Sequence, residues 1–214
     1  MTQPDVALTD FALALECFVL AFRISRRRVP DVWQRHAFRM LFWSAGAASL
    51  VGGLYHGYLL EASGRVYGSV WFVIFLAAGL ASLACWTIAS SVLFSRKTSR
   101  DVNLVGIVLF LLYLCSALVR MRSFVSVLVA TGVAGLSLLT AYLAAYRRNR
   151  DPLALLGVAG ILLVFAGSAI QRSGWDIHPW FTHDALYHVI LGISLYLIYL
   201  SVPAVREGAL RRTR

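Results

Sequence analysis

The sequence predicts an all-α membrane protein in which seven transmembrane helices form a single domain over residues 1–214. Hydrophobic residues make up 59% of the chain and charged residues only 14%, whereas soluble domains carry about 25% charged residues. The apolar residues lie in long blocks, each close to the ~20 residues that a helix needs to cross a bilayer. Short basic clusters separate these blocks, so consecutive helices should be antiparallel neighbours.

The apolar blocks define the seven helices in chain order. We predict spans at Val6–Ile24, Phe38–Leu60, Gly68–Leu93, Val102–Val119, Phe124–Tyr146, Pro152–Gln171 and Thr182–Val202. No soluble domain, linker or internal repeat interrupts this series. The basic residues between these spans fall mostly on one side of the membrane when seven helices are counted. Merging or omitting any one helix would disturb this pattern.

The distribution of Lys and Arg predicts the orientation. Four basic residues fall on one side of the seven spans, and sixteen fall on the other. Because basic residues concentrate in cytoplasmic loops, we expect the N-terminus to lie outside and the C-terminus in the cytoplasm. The smaller group is Arg65, Arg120, Arg122 and Arg172; the larger group is Arg23, Arg26, Arg27, Arg28, Arg35, Arg39, Arg96, Lys97, Arg100, Arg147, Arg148, Arg150, Arg206, Arg211, Arg212 and Arg214.

The net charge of +10 is therefore explained by topology and by attraction to anionic lipid. Nucleic-acid binding would require a soluble basic domain, which the sequence does not predict, so we expect no nucleic-acid partner. Arginine supplies all but one of the basic residues, a bias that suggests a GC-rich bacterial genome. The predicted location is the bacterial inner (plasma) membrane.

Five ionisable residues lie within the predicted spans, where such side chains are costly and usually functional. Asp10 and Glu16 lie on the first helix, His56 on the second, and Asp184 and His188 on the last. Because these helices alternate in direction, all five residues fall in the outer half of the membrane. Three separate helices therefore contribute polar side chains to one region.

The spacing on the last helix indicates a shared target. Asp184 and His188 are four residues apart and lie on the same face, while Gly52 and Gly53 near His56 permit close helix packing. His56, Asp184 and His188 would supply the three protein ligands typical of catalytic zinc. The residues alone are also compatible with a hydrogen-bonded Asp–His pair that holds helices together, or with a haem held by the two histidines.

Two segments carry a resemblance to a known family. "DALYH" on the last helix resembles the HxxxH motif of the alkaline ceramidase superfamily of seven-helix membrane hydrolases, which includes adiponectin-receptor-like and GPI-lipid-remodelling proteins, with Asp184 in place of the first His. "GLYHGYLL" resembles that family's SxxFHA, with Gly52 at the Ser and His56 at the His. Glu16 is similar to an acidic residue on the family's first helix.

The resemblance implies a zinc ion bound by His56, Asp184 and His188, and hydrolysis of a lipid amide or ester. Asp10, Glu16 or Glu61 would then carry protons during catalysis. The substrate or ligand would be a membrane lipid that enters from the outer leaflet. The alternative is a receptor, lipid-binding protein or accessory protein without enzymatic activity, in which the Asp/His cluster is structural.

Overall fold

The computed structural model describes residues 1–26, 31–61, 64–119 and 125–205. The described chain is all-helical, as predicted. The helices are α1 (Pro4–Arg26), α2 (Val32–Leu54), α3 (Gly64–Leu93), α4 (Arg96–Val119), α5 (Val125–Asn149), α6 (Leu153–Ser173) and α7 (His183–Ser201). Several arginines of the orientation argument lie outside the described residues: Arg27, Arg28, Arg120, Arg122, Arg206, Arg211, Arg212 and Arg214.

The protein is an integral membrane protein by the length and composition of its helices. In the described ranges, six helices are long and apolar enough to cross a membrane. The helix outside this set is α1, which carries the charged residues Asp5, Asp10, Glu16, Arg23 and Arg26. It packs against α2 and α7, and its 23 residues extend about 34 Å.

Each predicted span corresponds to one helix, but several helices extend beyond their apolar blocks. The clearest difference is α2, which begins at Val32, six residues before its predicted start. Asp31 caps this end, because its Oδ1 accepts hydrogen bonds from the backbone N–H groups of Trp33 (2.5 Å) and Gln34 (3.1 Å). Hydropathy marks the part of a helix inside the bilayer, whereas a polar cap marks where the helix itself begins.

The bundle has two chemically different ends. At the basic end, the last turn of α5 meets the end of α3, where Arg148 Nη1 donates a hydrogen bond to the carbonyl of Val92 (2.8 Å). At the site end, the start of α1 meets the end of α2 and the start of α7. Asp5 joins α1 to α7 by accepting hydrogen bonds from the Thr182 backbone N–H (3.0 Å) and hydroxyl (2.7 Å).

The main apolar core occupies the half of the bundle nearest the basic end. Its large, fully buried members include Phe38 and Phe42 of α2, Ile88 of α3, and Leu138 and Tyr142 of α5. These side chains come from the first half of α2 and the second halves of α3 and α5. Close packing within a membrane is held by such van der Waals contacts, which leaves the other half available for polar groups.

Two local features shape the site end. The last turn of α2 continues as a π-helical turn over Tyr55–Leu59, a geometry that is rare and frequently found at functional sites. At the other side, Gly174 ends α6 with a left-handed backbone (φ 67°), and the Thr182 hydroxyl caps α7 by accepting from the Ala185 N–H. The π-turn positions His56, and the cap fixes the start of the helix that carries Asp184 and His188.

Candidate functional site

The centre of the candidate site is a contact between α1 and α7. Oδ1 of Asp10 lies 3.4 Å from Nε2 of His188, and the side chains are only 5% and 11% exposed, respectively. These two residues come from opposite ends of the sequence, which predicts both in the same half of the membrane. The structure therefore brings together a predicted proton carrier and a predicted zinc ligand.

Thr9 lies within hydrogen-bond distance of one ring nitrogen of His188. The Thr9 Oγ1 lies 3.2 Å from Nδ1 of His188. Its own hydrogen is directed to the carbonyl oxygens of Asp5 (2.9 Å) and Val6 (3.0 Å), so towards His188 the hydroxyl oxygen is the acceptor. We infer that Nδ1 carries the hydrogen and that Nε2 presents its lone pair to Asp10.

This arrangement places two electron-rich atoms opposite each other in a buried position. An ionised Asp10 and a bare Nε2 of His188 repel each other unless a positive charge lies between them. That charge can be a proton or a metal ion, and a carboxylate and a neutral imidazole are ordinary zinc ligands. The donor chemistry of the pair therefore fits a metal.

Gly52 of α2 makes room for the Asp10 carboxylate. A Cβ atom at position 52 would lie 2.8 Å from Asp10 Oδ2, so any side chain there would force the carboxylate to move. This contact gives a structural reason for glycine at position 52. The same position is filled here by a carboxylate that reaches across from α1.

His56 enters the site end from the π-turn of α2. Its Nδ1 lies 2.6 Å from Oε1 of Gln3, and the Gln3 backbone N–H donates to the His56 carbonyl (3.1 Å). Because the amide oxygen of Gln3 only accepts, Nδ1 of His56 carries the hydrogen. His56 therefore has the same tautomer as His188, with Nε2 available to a ligand.

Asp184 is close to this cluster, but its carboxylate is bound by other partners. Its Oδ1 accepts a hydrogen bond from Nε2 of Gln171 on α6 (3.0 Å), and its Oδ2 lies 3.7 Å from Nε2 of His183. The charge of Asp184 interacts electrostatically with both His56 and His188. The two members of the predicted pair thus face neighbouring helices: Asp184 contacts α6, and His188 contacts α1.

The loop before α7 is attached to the rim of the site. Asp176 Oδ1 accepts hydrogen bonds from the His183 backbone N–H (2.8 Å) and from its ring Nδ1 (2.6 Å). These hydrogen bonds, the backbone one first, hold the pKa of Asp176 below its ordinary value. His183 consequently lies at the rim of the site.

The remaining predicted residues lie farther from the centre. Glu16 is half-buried deeper on α1, and its Oε2 would lie 2.8 Å from a Cβ at Gly192 of α7. Glu61 is exposed on the turn after α2. Among the residues that the structure describes, no three His, Cys, Asp or Glu side chains are close enough together to hold a metal ion.

Sequence reasoning missed the residues that orient the site: Gln3, Thr9 and Gln171. Thr9 could have been found, because it adjoins Asp10 and its hydroxyl is a ready acceptor. Gln171 is an uncharged polar residue in the last turn of an apolar helix, which is a weak signal of the same kind. Gln3 precedes the apolar block and carries no signal of its own.

The fold and the site define a polytopic helical membrane protein with a buried carboxylate–imidazole cluster at one end of the bundle. The chain belongs to DUF6962, a family of unknown function whose family model matches residues 6–207. That range includes Asp10, His56, Asp184 and His188. No curated protein matches the chain, and no solved structure matches it.

Proposed function

We propose that this protein is a zinc-dependent membrane hydrolase of lipid amides or esters, related in design to the alkaline ceramidase superfamily. The observation that supports this proposal most directly is the 3.4 Å approach of Asp10 Oδ1 to Nε2 of His188. Thr9 occupies the other ring nitrogen. In this orientation, Oδ1 of Asp10 and Nε2 of His188 could both bind one cation.

The proposed ligands are His56, Asp184 and His188, with Asp10 as an additional carboxylate at the same centre. When bound, zinc would supply Lewis acidity towards a substrate carbonyl. Gln3 and Thr9 hold the two imidazoles in the tautomer that a metal requires, which is the usual role of such hydrogen-bonding partners.

Proton transfer is the role proposed for the acidic residues of α1. Asp10 lies nearest to the centre and is the first candidate. Glu16 is the second, from a deeper position on the same helix. Glu61 is the third and would have to act at the exposed rim, because it lies on the turn beyond the π-turn.

The proposed topology has seven spanning helices, including α1, with the N-terminus outside and the C-terminus in the cytoplasm of a bacterial inner membrane. Burial of its polar residues between α2 and α7 would allow α1 to cross despite its charges. The charge asymmetry supports this orientation. The lipid substrate would then reach the site from the outer leaflet.

Metal analysis and lipid turnover test this proposal together. Protein purified without chelator should contain about one zinc per chain, as expected for a single site, and should release fatty acid from a panel of lipid amides and esters. His188→Ala should lose both properties. The control is His178→Ala, which removes an exposed loop histidine. Metal at background in the unaltered protein, together with no turnover, would reject the proposal.

A second function is favoured by the number of polar contacts that connect different helices. Gln3 binds His56, Asp5 binds Thr182, and Gln171 binds Asp184. These contacts would suit a receptor, lipid-binding protein or accessory protein in which the cluster holds the site end closed. In that case a proton would lie between Asp10 and His188, and zinc would be absent from the active preparation.

A further inference from the structure

A groove lies between α1, α2 and α7 at the opposite end of the bundle from the candidate site. It has a volume of about 650 Å³. Its walls are mainly aromatic, and two arginines stand at its inner end. The lining includes Phe18, Phe22, Arg23, Arg26, Trp43 and Tyr199.

The aromatic walls of the groove are exposed. Phe22 is 53% exposed and Trp43 is 49% exposed, while the ring of Phe18 packs at 5.0 Å from that of Trp43. Phe22 lies about one turn from the end of α1, beside Arg23 and Arg26, whereas Trp43 lies near the middle of α2. The groove therefore presents an apolar surface next to the polar boundary of the bilayer.

Arg23 and Arg26 give the groove its charge. They are three residues apart in the last turn of α1 and thus lie side by side. In the part of the chain that the structure describes, neither is paired with a carboxylate. The nearest helix start, that of α2, uses its acidic residue Asp31 to cap backbone N–H groups. The positive charge at this end of the groove is therefore available to an anion.

The orientation of Arg26 suits a phosphate group. Its guanidinium carbon lies 4.2 Å from the centre of the Phe22 ring. Stacking occupies a face of the guanidinium plane and leaves the N–H groups at its edge free to bind two oxygens at once. Paired N–H donors of this kind bind phosphate with defined geometry.

We propose that this groove is a binding site for one anionic membrane phospholipid. Its phosphate lies against Arg23 and Arg26, and an acyl chain lies along Phe18, Phe22 and Trp43. A free phosphate ion would use only the arginines and would leave the aromatic walls exposed. A phospholipid would contact both the arginines and the aromatic walls. The membrane in which the helices lie supplies such lipids. This site is independent of the proposed hydrolase activity.

The test compares lipid binding by the full chain and two doubly substituted variants. Delipidated protein is reconstituted with phosphatidylcholine alone or with an equal amount of phosphatidylglycerol, and both thermal stability and retained lipid are measured. Arg23→Gln with Arg26→Gln should lower retained phosphatidylglycerol on the order of tenfold or more. Arg96→Gln with Lys97→Gln removes the same amount of charge at the same end of the bundle but outside the groove. This variant should retain phosphatidylglycerol as the unaltered protein does.

A third variant and a phosphate titration test the apolar half of the proposal. Phe22→Ala removes an exposed ring, so the fold should persist while phosphatidylglycerol retention falls. Inorganic phosphate added to protein in phosphatidylcholine should not reproduce the thermal stabilisation that phosphatidylglycerol gives. Equal losses in the two charge variants, full stabilisation by inorganic phosphate, or occupation of the groove by a second copy of the chain would each overturn the proposal.

Discussion

Oδ1 of Asp10 and Nε2 of His188 lie 3.4 Å apart across the α1–α7 contact, and with the tautomer inferred for His188 both atoms are hydrogen-bond acceptors. Such a contact is stable only when a positive charge lies between the two atoms. A proton and a metal ion both meet that requirement. Substitutions at Asp10 and at its neighbours distinguish the two, because a proton can be replaced by an N–H group and a metal ion cannot.

Asp10→Asn should lower zinc content at least about tenfold, since it removes a ligand charge and directs an N–H group to Nε2 of His188. Metal analysis and thermal unfolding should be measured on the same preparation. Asp101→Asn, at the exposed start of α4, is the matched control. Unchanged zinc in Asp10→Asn would remove Asp10 from the ligand set, and unchanged stability without any zinc would indicate a proton between the two residues.

Gly52→Ala should destabilise the bundle by about 1–3 kcal/mol, the usual cost of overpacking, because its Cβ would lie 2.8 Å from Asp10 Oδ2. The penalty should largely disappear when Asp10→Ala is added, and the non-additivity in thermal stability measures the contact. Gly132→Ala in α5 is the control, since nothing lies within 4 Å of its added methyl group. Additive effects would show that the close approach is not the cause.

Thr9→Val should lower zinc affinity about 10–100-fold, because the variant can no longer accept the hydrogen bond from Nδ1 of His188. The same substitution at Thr140 is a close control, since its hydroxyl makes an equivalent bond to the carbonyl four residues earlier (2.8 Å). Competition with a zinc-sensitive dye gives the affinities. Equal affinities for both variants would mean that the tautomer of His188 does not depend on Thr9.

The loop before α7 should be less protected against amide hydrogen exchange in acid. The pKa of Asp176 is held below its ordinary value of 3.8 by hydrogen bonds from His183. A lowered folded-state pKa means that these bonds stabilise the loop fully above pH 3.8 and are lost as the pH falls further. Hydrogen exchange at the His183 amide should report this change after correction for intrinsic rates. Asp176→Ala should abolish the pH dependence, whereas Asp151→Ala, at a different loop, should keep it.

The proposed orientation makes a separate prediction. A reporter fused after Arg214 should be active in the cytoplasm, and one inserted at Gly64 should be active outside. Gly64 suits insertion because no side chain lies within 4 Å of the place where its Cβ would be. The reverse pattern would place the Asp10–His188 contact in the cytoplasmic leaflet and would overturn the interpretation of the charge asymmetry.

The architecture was predictable because hydropathy and charge each act along whole helices. Each apolar block located one of the α-helices in the described ranges, and the alternating direction placed Asp10, His56 and His188 at one end. Helix starts such as that of α2 were less predictable. There, Asp31 extends the helix past the apolar block.

The individual partners in the site could not be predicted, because they depend on how each helix is rotated about its axis. Asp184 and His188 share a face, yet Asp184 contacts Gln171 and His188 contacts Thr9. A difference of a few tens of degrees in the rotation of α6 would change the partner of Asp184, and the same difference in α1 would change the partner of His188. Sequence spacing within one helix does not contain that information.

The π-turn at Tyr55–Leu59 also bears on how this family could diversify. Each residue of an α-helix advances it by about 1.5 Å and 100°, so one additional residue accommodated within a single turn leaves the preceding helix undisturbed. Deleting one residue here would restore ordinary α-helical winding and rotate His56 or the following loop away from Gln3. Relatives that differ by a single-residue gap at this turn should therefore keep the bundle while differing in the site. A length change of one residue is thus a more informative marker of altered chemistry than most substitutions in the helices.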